Sequence, residues 1–429
     1  MRPYRVLFVN DTARNGGPGR SLQIILRYVD PRVVHRSVVL PRAGAVSELL
    51  AGSDVVDELH FEPCIVEHVF APLTRSMRRE DLAAPLLVRA LRAVGNAGRA
   101  ALGLRRLARL VRDGRHDLIY CNGTTADFAG GLVAQIARVP ALWHVRYTSL
   151  PAGLAPLHRA LSGSTGVARI VCVSHAAASL FPHCPDKIRV VHNAVDLAKF
   201  SGAVARGRLR AELGVGRGTV IFGGHGRVLR RKGFIELIRA AHRLRALLDD
   251  LEWARCRFVI VGDTPDDFRP DHVRECRALV AQLGLDERFH FTGFRDDVRP
   301  LVADFDVAVV PSVYADPLPR AVIEAMALGK PVIAFAVGGI TEMVTAGTGT
   351  LLRADPPDVD GLAAAMRDYL RDAIRRTTEG AAARALVEQR FDGSLHGRTI
   401  QAEIVHVIET TRTRSQTVGG VLRHGLGRT

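Results

Sequence analysis

At 429 residues the chain is too long for one ordinary domain, and its length points to two or three. Nearly half of it is hydrophobic and about a quarter charged, a globular composition that excludes a disordered chain. The balance of 59 Lys+Arg against 44 Asp+Glu gives a formal net charge of +15, carried almost wholly by arginine, since Lys187, Lys199, Lys232 and Lys330 are the only lysines.

No stretch reaches about 18 apolar residues free of charge, so a membrane-spanning helix is not expected. Val6–Val9 is too short for the apolar core of a secretory signal. The six cysteines form no Cys-x-x-Cys pair and no Cys/His cluster, which fits reduced thiols and a cytoplasmic setting. The charge is unevenly spread. Residues 1–200 carry 26 cations and 15 anions, whereas residues 201–410 carry 29 of each. The last nineteen residues add Arg412, Arg414, Arg423 and Arg428 without an acid. One half of the molecule is therefore expected to meet something anionic.

In chain order, Tyr4–Val9 reads as a strand leading into the polar, glycine-rich loop Asn10–Gly19, and Leu22, Ile25, Leu26 and Val29 then mark one face of a helix. Val38–Leu40 is a short strand, and residues 86–112 carry a helical pattern interrupted by Gly95, Gly98 and Gly103. Asp117–Cys121, Ala141–Val145 and Ile170–Val173 have the form of buried parallel strands. The second half repeats this rhythm. Strands are expected at Thr219–Phe222, Phe258–Val261, Phe289–Thr292, Val307–Val310 and Val332–Phe335, with helices at Phe234–Leu248, Arg274–Leu283 and Arg320–Leu328. Alternating strands and helices imply two α/β, doubly wound domains. They are expected at 1–192 and 202–391, joined by a linker at 193–201, with a final helical segment at 392–410 and a disordered basic tail at 411–429.

Four loops at the carboxyl ends of expected strands draw attention, because ligands of open parallel sheets bind there. Gly16-Gly17-Pro18-Gly19 opens the first helix and matches neither a Walker A loop nor GxGxxG. Gly226-Arg227 through Lys232-Gly233 places cations between a strand and a helix start, a setting suited to phosphate; Arg230 and Arg231 read better as solvated charges. Asp316-Pro317-Leu318-Pro319-Arg320 leads into a helix carrying Glu324, where an Arg320–Glu324 ion pair one turn apart is the plain alternative to a ligand role. Val337-Gly338-Gly339-Ile340 is a further glycine turn. Asp304-Phe305-Asp306 has the outward form of a metal-binding DxD but runs straight into the strand Val307–Val310, so no metal is expected.

With their spacing, Asp316-x7-Glu324, Ala325-Met326-Ala327, Gly329-Lys330-Pro331-Val332 and Gly338-Gly339-Ile340-Thr341-Glu342 resemble the retaining GT-B glycosyltransferases of group 1, the family of bacterial mannosyltransferases and sucrose-phosphate synthase. Gly16-Gly17, His144, Ser174, Asn193-Ala194-Val195-Asp196, Gly226-Arg227 and Lys232-Gly233 extend the resemblance along most of the chain. It implies two Rossmann-like domains around a cleft, with a last helix crossing back to the first domain. The substrate implied is a nucleotide-diphosphate sugar, such as GDP-mannose or a UDP-sugar, used without a metal or other cofactor. Arg227 and Lys232 would neutralise the departing diphosphate. Glu324 would hold the ribose, and Asp316 with Gly338, Gly339 and Ile340 the sugar and its phosphate. His144 would reach the sugar from the first domain, unless it is simply a packed core histidine. Gly16, Gly17, Gly226, Leu318 and Arg320 complete the implied donor site.

Asp316 departs from the family's usual glutamate, and Pro317 and Pro319 remove two backbone donors, which leaves the donor sugar open. A non-catalytic binding or partner protein on the same fold, or a nucleotide-sugar epimerase, are the alternative readings. The acceptor, a glycan or lipid-linked molecule, is expected on the basic half. Arg75–Arg115 holds eleven arginines, and Arg89, Arg92, Arg99, Arg105, Arg106 and Arg109 interleave with Leu and Ala in helical fashion. Such a surface suits an anionic membrane face, with a water-facing helix as the plain alternative. No aromatic-interleaved basic motif supports nucleic acid as a partner.

Overall fold

The computed structural model describes residues 2–14, 16–65, 85–150, 153–201, 204–265 and 271–425. The arginines expected at 75–79 and the last four residues of the tail lie outside them. The chain divides into two compact units. One contains the chain up to Asn193 and the segment from Gly393 onward, and the other is Ala194–Asp392.

The first unit is built on a seven-stranded parallel sheet: β1 (Tyr4–Asn10), β2 (Val34–Leu40), β3 (Glu58–Phe61), β4 (Leu118–Asn122), β5 (Ala141–Val145), β6 (Val167–Cys172) and β7 (Ile188–Val190), in the order β3-β2-β1-β4-β5-β6-β7. The chain reverses its direction of travel across the sheet between β1 and β4, the switch point where ligands of such sheets bind. Leu22, Ile25 and Leu26 of the helix Gly17–Tyr28, with Val29 just beyond its end, pack with Val6, Phe8, Val38 and Tyr120.

The second unit has six parallel strands: β8 (Val220–His225), β9 (Cys256–Val261), β10 (Phe289–Gly293), β11 (Val307–Val310), β12 (Val332–Phe335) and β13 (Gly349–Leu352). Their order β10-β9-β8-β11-β12-β13 puts the switch point between β8 and β11. Both units are thus doubly wound, Rossmann-like sheets. Among the described residues no helix is long and apolar enough to cross a membrane.

Three features differ from expectation. Ala194–Ser201, expected as linker, is packed into the second unit: Ala194, Val195 and Phe200 are buried, and Val195 bridges Asp392. The tail expected to be disordered continues the helix Gly393–Gly425. Arg412 holds that helix beyond 410 by pairing with Asp117 at 2.6 Å and lying over the Tyr4 ring, while Thr411 and Thr413 hydroxyls donate to carbonyls one turn back. Gly95 and Gly98 do not interrupt the helix Leu86–Asp113, and at Gly103 a side chain would strike the Cys64 carbonyl. Glycine is needed there for close approach.

Candidate functional site

In the second unit, the loops leaving β8, β11 and β12 bring most of the expected residues together at the switch point. β8 ends in His225, Gly226 takes a φ of +124°, and Arg227 is exposed at the strand end. A side chain at Gly233 would lie 1.6 Å from the Pro311 carbonyl oxygen, so only glycine lets the β8 loop close on the β11 loop. That approach brings Lys232 to Asp316: Nζ donates to Oδ2 at 2.5 Å, with the carboxylate nearly buried and the ammonium partly exposed. Tyr314 lies beneath both arms, its ring 4.9 Å from the Arg231 guanidinium and 5.4 Å from Lys232 Nζ. Burial raises the Tyr314 pKa, and the neighbouring Asp316 carboxylate adds to the rise. Arg230 pairs with Glu236 at 2.8 Å, so Arg230 and Arg231 have partners inside the fold rather than being merely solvated.

Glu324 is one turn into the helix Arg320–Ala327 and is buried. Arg320 Nε donates to its Oε1 at 3.1 Å, and His225 Nε2 meets its Oε2 at 3.0 Å. Arg320 also donates to the Ala194 carbonyl at 2.9 Å. The guanidinium therefore ties Glu324 to the entering chain, the ion pair one turn apart that the spacing allowed. Leu318 is buried, and a Cβ at Gly339 would crowd its side chain at 2.9 Å. Gly338 has a φ of +51° and no room for a Cβ, which would lie 2.2 Å from the Asp316 carbonyl oxygen. The Gly339 N–H donates to that same oxygen at 2.9 Å, locking the β12 loop, with Ile340 buried behind it, onto the Asp316 loop.

Asp304 and Asp306 have structural duties. Asp304 accepts from the N–H groups of Gly207 and Leu209 at 2.6 and 2.8 Å, at the start of the helix Arg208–Glu212. Asp306 accepts from Arg210 at 2.6 Å and from Ile221 N–H at 2.8 Å. Among the described residues no group of three or more His, Cys, Asp or Glu side chains is arranged to hold a metal ion.

In the first unit the expected residues also gather at the switch point. Gly16 and Gly17 open the helix that follows β1. Asn10, Asn122 and His144 stand side by side across β1, β4 and β5. Asn122 Nδ2 donates to Asn10 Oδ1 at 2.6 Å and to the Pro18 carbonyl at 3.2 Å, which fixes the glycine loop over the strand ends. Arg146, which sequence reasoning missed, donates from Nε to Asn122 at 2.7 Å and also binds Asn193.

His144 is fully buried. Its Nδ1 meets the Tyr120 hydroxyl and lies 3.3 Å from an Arg146 NH2. A guanidinium only donates, so Nδ1 is the acceptor and the proton sits on Nε2, which has no partner. Burial, with Arg146 and His396 nearby, holds the imidazole pKa well below its usual value. His144 is a neutral donor with its Nε2–H unused. Asp11 accepts from the N–H groups of Thr125 and Ala126 at 2.8 and 3.3 Å, capping the helix Thr124–Ala137. Gly123 makes room for that carboxylate, which a Cβ would meet at 2.5 Å.

Comparison with known proteins follows this division. Residues 217–372 match the family described as Glycosyl transferases group 1, and residues 66–199 match Glycosyltransferase Family 4. The 2-deoxystreptamine glucosyltransferase of Streptomyces kanamyceticus is 34% identical over 48% of this chain and 50% of its own. Alpha-maltose-1-phosphate synthase of Mycobacterium tuberculosis is 33% identical over 48% of this chain and 54% of its own. The chain thus spans about half the length of these relatives. Anabaena HepE in complex with UDP superposes with a TM-score of 0.74 at 24% identity, over 94% of this chain and 100% of HepE. Sucrose-phosphate synthase from Thermosynechococcus elongatus gives 0.70 at 18% identity, over 95% and 100%. At these identities the likeness is one of fold. Residues 217–372 thus carry a glycosyl transferases group 1 domain and residues 66–199 resemble the Glycosyltransferase Family 4 model, each on a Rossmann-like sheet.

Proposed function

We propose that the protein is a retaining glycosyltransferase that moves a sugar from a nucleoside-diphosphate sugar to a glycan or lipid-linked acceptor. The observation that carries this reading is the β8–β11 junction, where Lys232 stands against Asp316 and Arg227 is exposed one loop away. Cations at a strand's carboxyl end suit a diphosphate leaving group, whose developing charge they stabilise as the sugar departs. Glu324 accepts the ribose hydroxyls. Asp316 and the Gly338–Ile340 turn address the sugar and the phosphate joined to it.

The pairing of the carboxylates argues against hydrolase chemistry. A retaining glycosidase needs one carboxylate as nucleophile and another as acid. Here Asp316 is bound by Lys232, and Glu324 by Arg320 and His225. The step that fits is front-face transfer. The acceptor oxygen bonds to the anomeric carbon as the bond to the diphosphate breaks, and the acceptor proton passes to the departing phosphate oxygen. With two cations supplying the countercharge, this step is written without a metal.

We infer further that the acceptor is presented at an anionic surface. Support comes from the helix Leu86–Asp113, where Leu87, Leu91 and Val94 are 72%, 64% and 70% exposed along one stripe among arginines.

The test is a panel of UDP-, GDP- and other nucleotide sugars, with lipid-linked and free glycan acceptors, read as nucleotide release and as donor binding by calorimetry. One donor should bind and turn over with retained anomeric configuration. Arg227→Ala and Lys232→Ala should each lower turnover by about 10²–10³-fold, with the protein still folded at the assay temperature by circular dichroism. Absence of both binding and release across the panel would refute the enzyme reading and favour a partner protein. Conversion of the donor to its epimer would favour the epimerase.

A further inference from the structure

His225 is the last residue of β8, immediately before Gly226-Arg227, and its side chain is almost completely buried. Its imidazole meets Glu324 from the side opposite Arg320: Nε2 is 3.0 Å from Oε2, while Arg320 Nε is 3.1 Å from Oε1. The carboxylate is an acceptor, so Nε2 carries the proton and donates, while Nδ1 is enclosed without a partner. Arg320, through Nε and NH2, and His225, through Nε2, therefore bind opposite oxygens of Glu324. The carboxylate plane is fixed from both ends.

The two clamps are anchored differently. Arg320 is one turn away on the same helix as Glu324, and it moves with that helix. His225 belongs to β8, in the middle of the sheet, so it ties Glu324 to the strand that carries the phosphate loop. The Phe305 ring packs beside the imidazole, with centroids 6.4 Å apart.

We propose that His225 is a positioning residue for nucleotide recognition. Through Nε2 it holds Glu324 so that both carboxylate oxygens face the two ribose hydroxyls at once, in register with a diphosphate at Arg227 and Lys232. This rests on the reading of the site as a nucleotide-sugar site, and it adds a residue whose effect is felt only through the ribose. Removing it lets Glu324 turn about its own side chain, with Arg320 still attached, and the paired hydroxyl contacts are lost. The diphosphate contacts are untouched.

The experiment is calorimetric titration of the full-length protein and of His225→Ala and His225→Gln with UDP and GDP, and with their 2′,3′-dideoxy counterparts. Thermal unfolding of each variant is followed in parallel. Wild-type protein should bind the ribonucleotide of its donor more tightly than the dideoxy form. His225→Ala should weaken the ribonucleotide by about tenfold, the scale of one lost hydrogen bond to a charged group, and leave the dideoxy form within about twofold. His225→Gln, whose amide can donate to Glu324, should recover most of the loss. With the matching donor, KM should rise in His225→Ala while kcat at saturation stays nearly unchanged. Equal ribonucleotide affinity in wild type and His225→Ala overturns the proposal. So does an equal loss for ribo- and dideoxynucleotide, which would mark a general structural role. Failure of the wild type to bind any nucleotide is a separate outcome, and it overturns the underlying reading and this proposal with it.

Discussion

At Asp316 a single methylene sets the character of the site. The shorter acid, placed by Pro317 and by the tight approach of Gly338 and Gly339, brings its oxygen to Lys232 at 2.5 Å. In the proposed reaction, Lys232 is shared between Asp316 and the diphosphate of the donor. Asp316→Asn should remove the competing anion while keeping the shape. Free nucleoside diphosphate should bind about three- to tenfold more tightly, as expected for relief of one partly exposed charge contact. Sugar transfer should fall, because the amide no longer orients the sugar. Calorimetry with the nucleotide beside turnover with the full donor checks both halves. Weaker nucleotide binding in Asp316→Asn would mean that the carboxylate supports the phosphate site rather than competing for it.

Among the secondary-structure elements, what the sequence revealed and what it hid have a common cause. β5, β11 and β12 are continuous apolar runs, and the structure bounds them as expected at Ala141–Val145, Val307–Val310 and Val332–Phe335. Strands buried on both faces must be apolar throughout. The strands that escaped notice, β3, β7 and β13, lie at sheet edges and read Glu-Leu-His-Phe, Ile-Arg-Val and Gly-Thr-Leu-Leu. An edge strand is half-exposed and need not show a run. The same contrast holds at the site. The loop glycines were visible because close backbone approach, as at Gly233 and Gly338, admits no other residue. His225 and Arg146 were not, because their partners Glu324 and Asn122 are 99 and 24 residues away.

The helix Leu86–Asp113 carries a prediction of its own. Ala93, Leu107, Ala108 and Val111 face the unit, while Leu87, Leu91 and Val94 face outward on the opposite side. Leu87→Glu, Leu91→Glu and Val94→Glu together remove an apolar stripe that packs on little, so the thermal midpoint should hold. Co-sedimentation with vesicles containing anionic phospholipid should fall about tenfold or more, as three desolvated side chains are replaced by charges. Wild type that ignores anionic vesicles at low salt would leave the helix as an ordinary water-facing one.

For the whole molecule, the excess charge and the histidines whose pKa burial lowers fall in the same unit. Residues 194–392 carry 29 cations and 28 anions, so nearly all of the +15 belongs to the rest of the chain. That first unit also encloses His116, His144 and His158. Burial lowers the pKa of all three, that of His144 well below its usual value and that of His158 to about 4. Because each folded-state pKa lies below the unfolded value near 6.5, the unfolded chain binds more protons across the interval between them. The stability these groups contribute is complete above about pH 6.5 and is lost as the pH falls toward 4. Asp127 opposes this. Burial raises its pKa, so the folded form keeps a proton that the unfolded chain releases in the same interval. The histidines, His183 among them, outnumber this one carboxyl, so unfolding takes up protons on balance as the pH falls through the interval. Asp57 and Glu58, whose pKa values are lowered, the latter to about 2, titrate below this interval and do not cancel it. Acid should therefore loosen the first unit before the second. Each unit holds one of the two tryptophans, Trp143 in the first and Trp253 in the second, so Trp143→Phe and Trp253→Phe give single reporters. Between pH 7.5 and 5, the urea midpoint read by Trp143 should drop steeply and that read by Trp253 much less. His144→Gln should flatten the Trp143 dependence by about one proton, and equal shifts at the two tryptophans would show that the buried histidines do not govern acid stability.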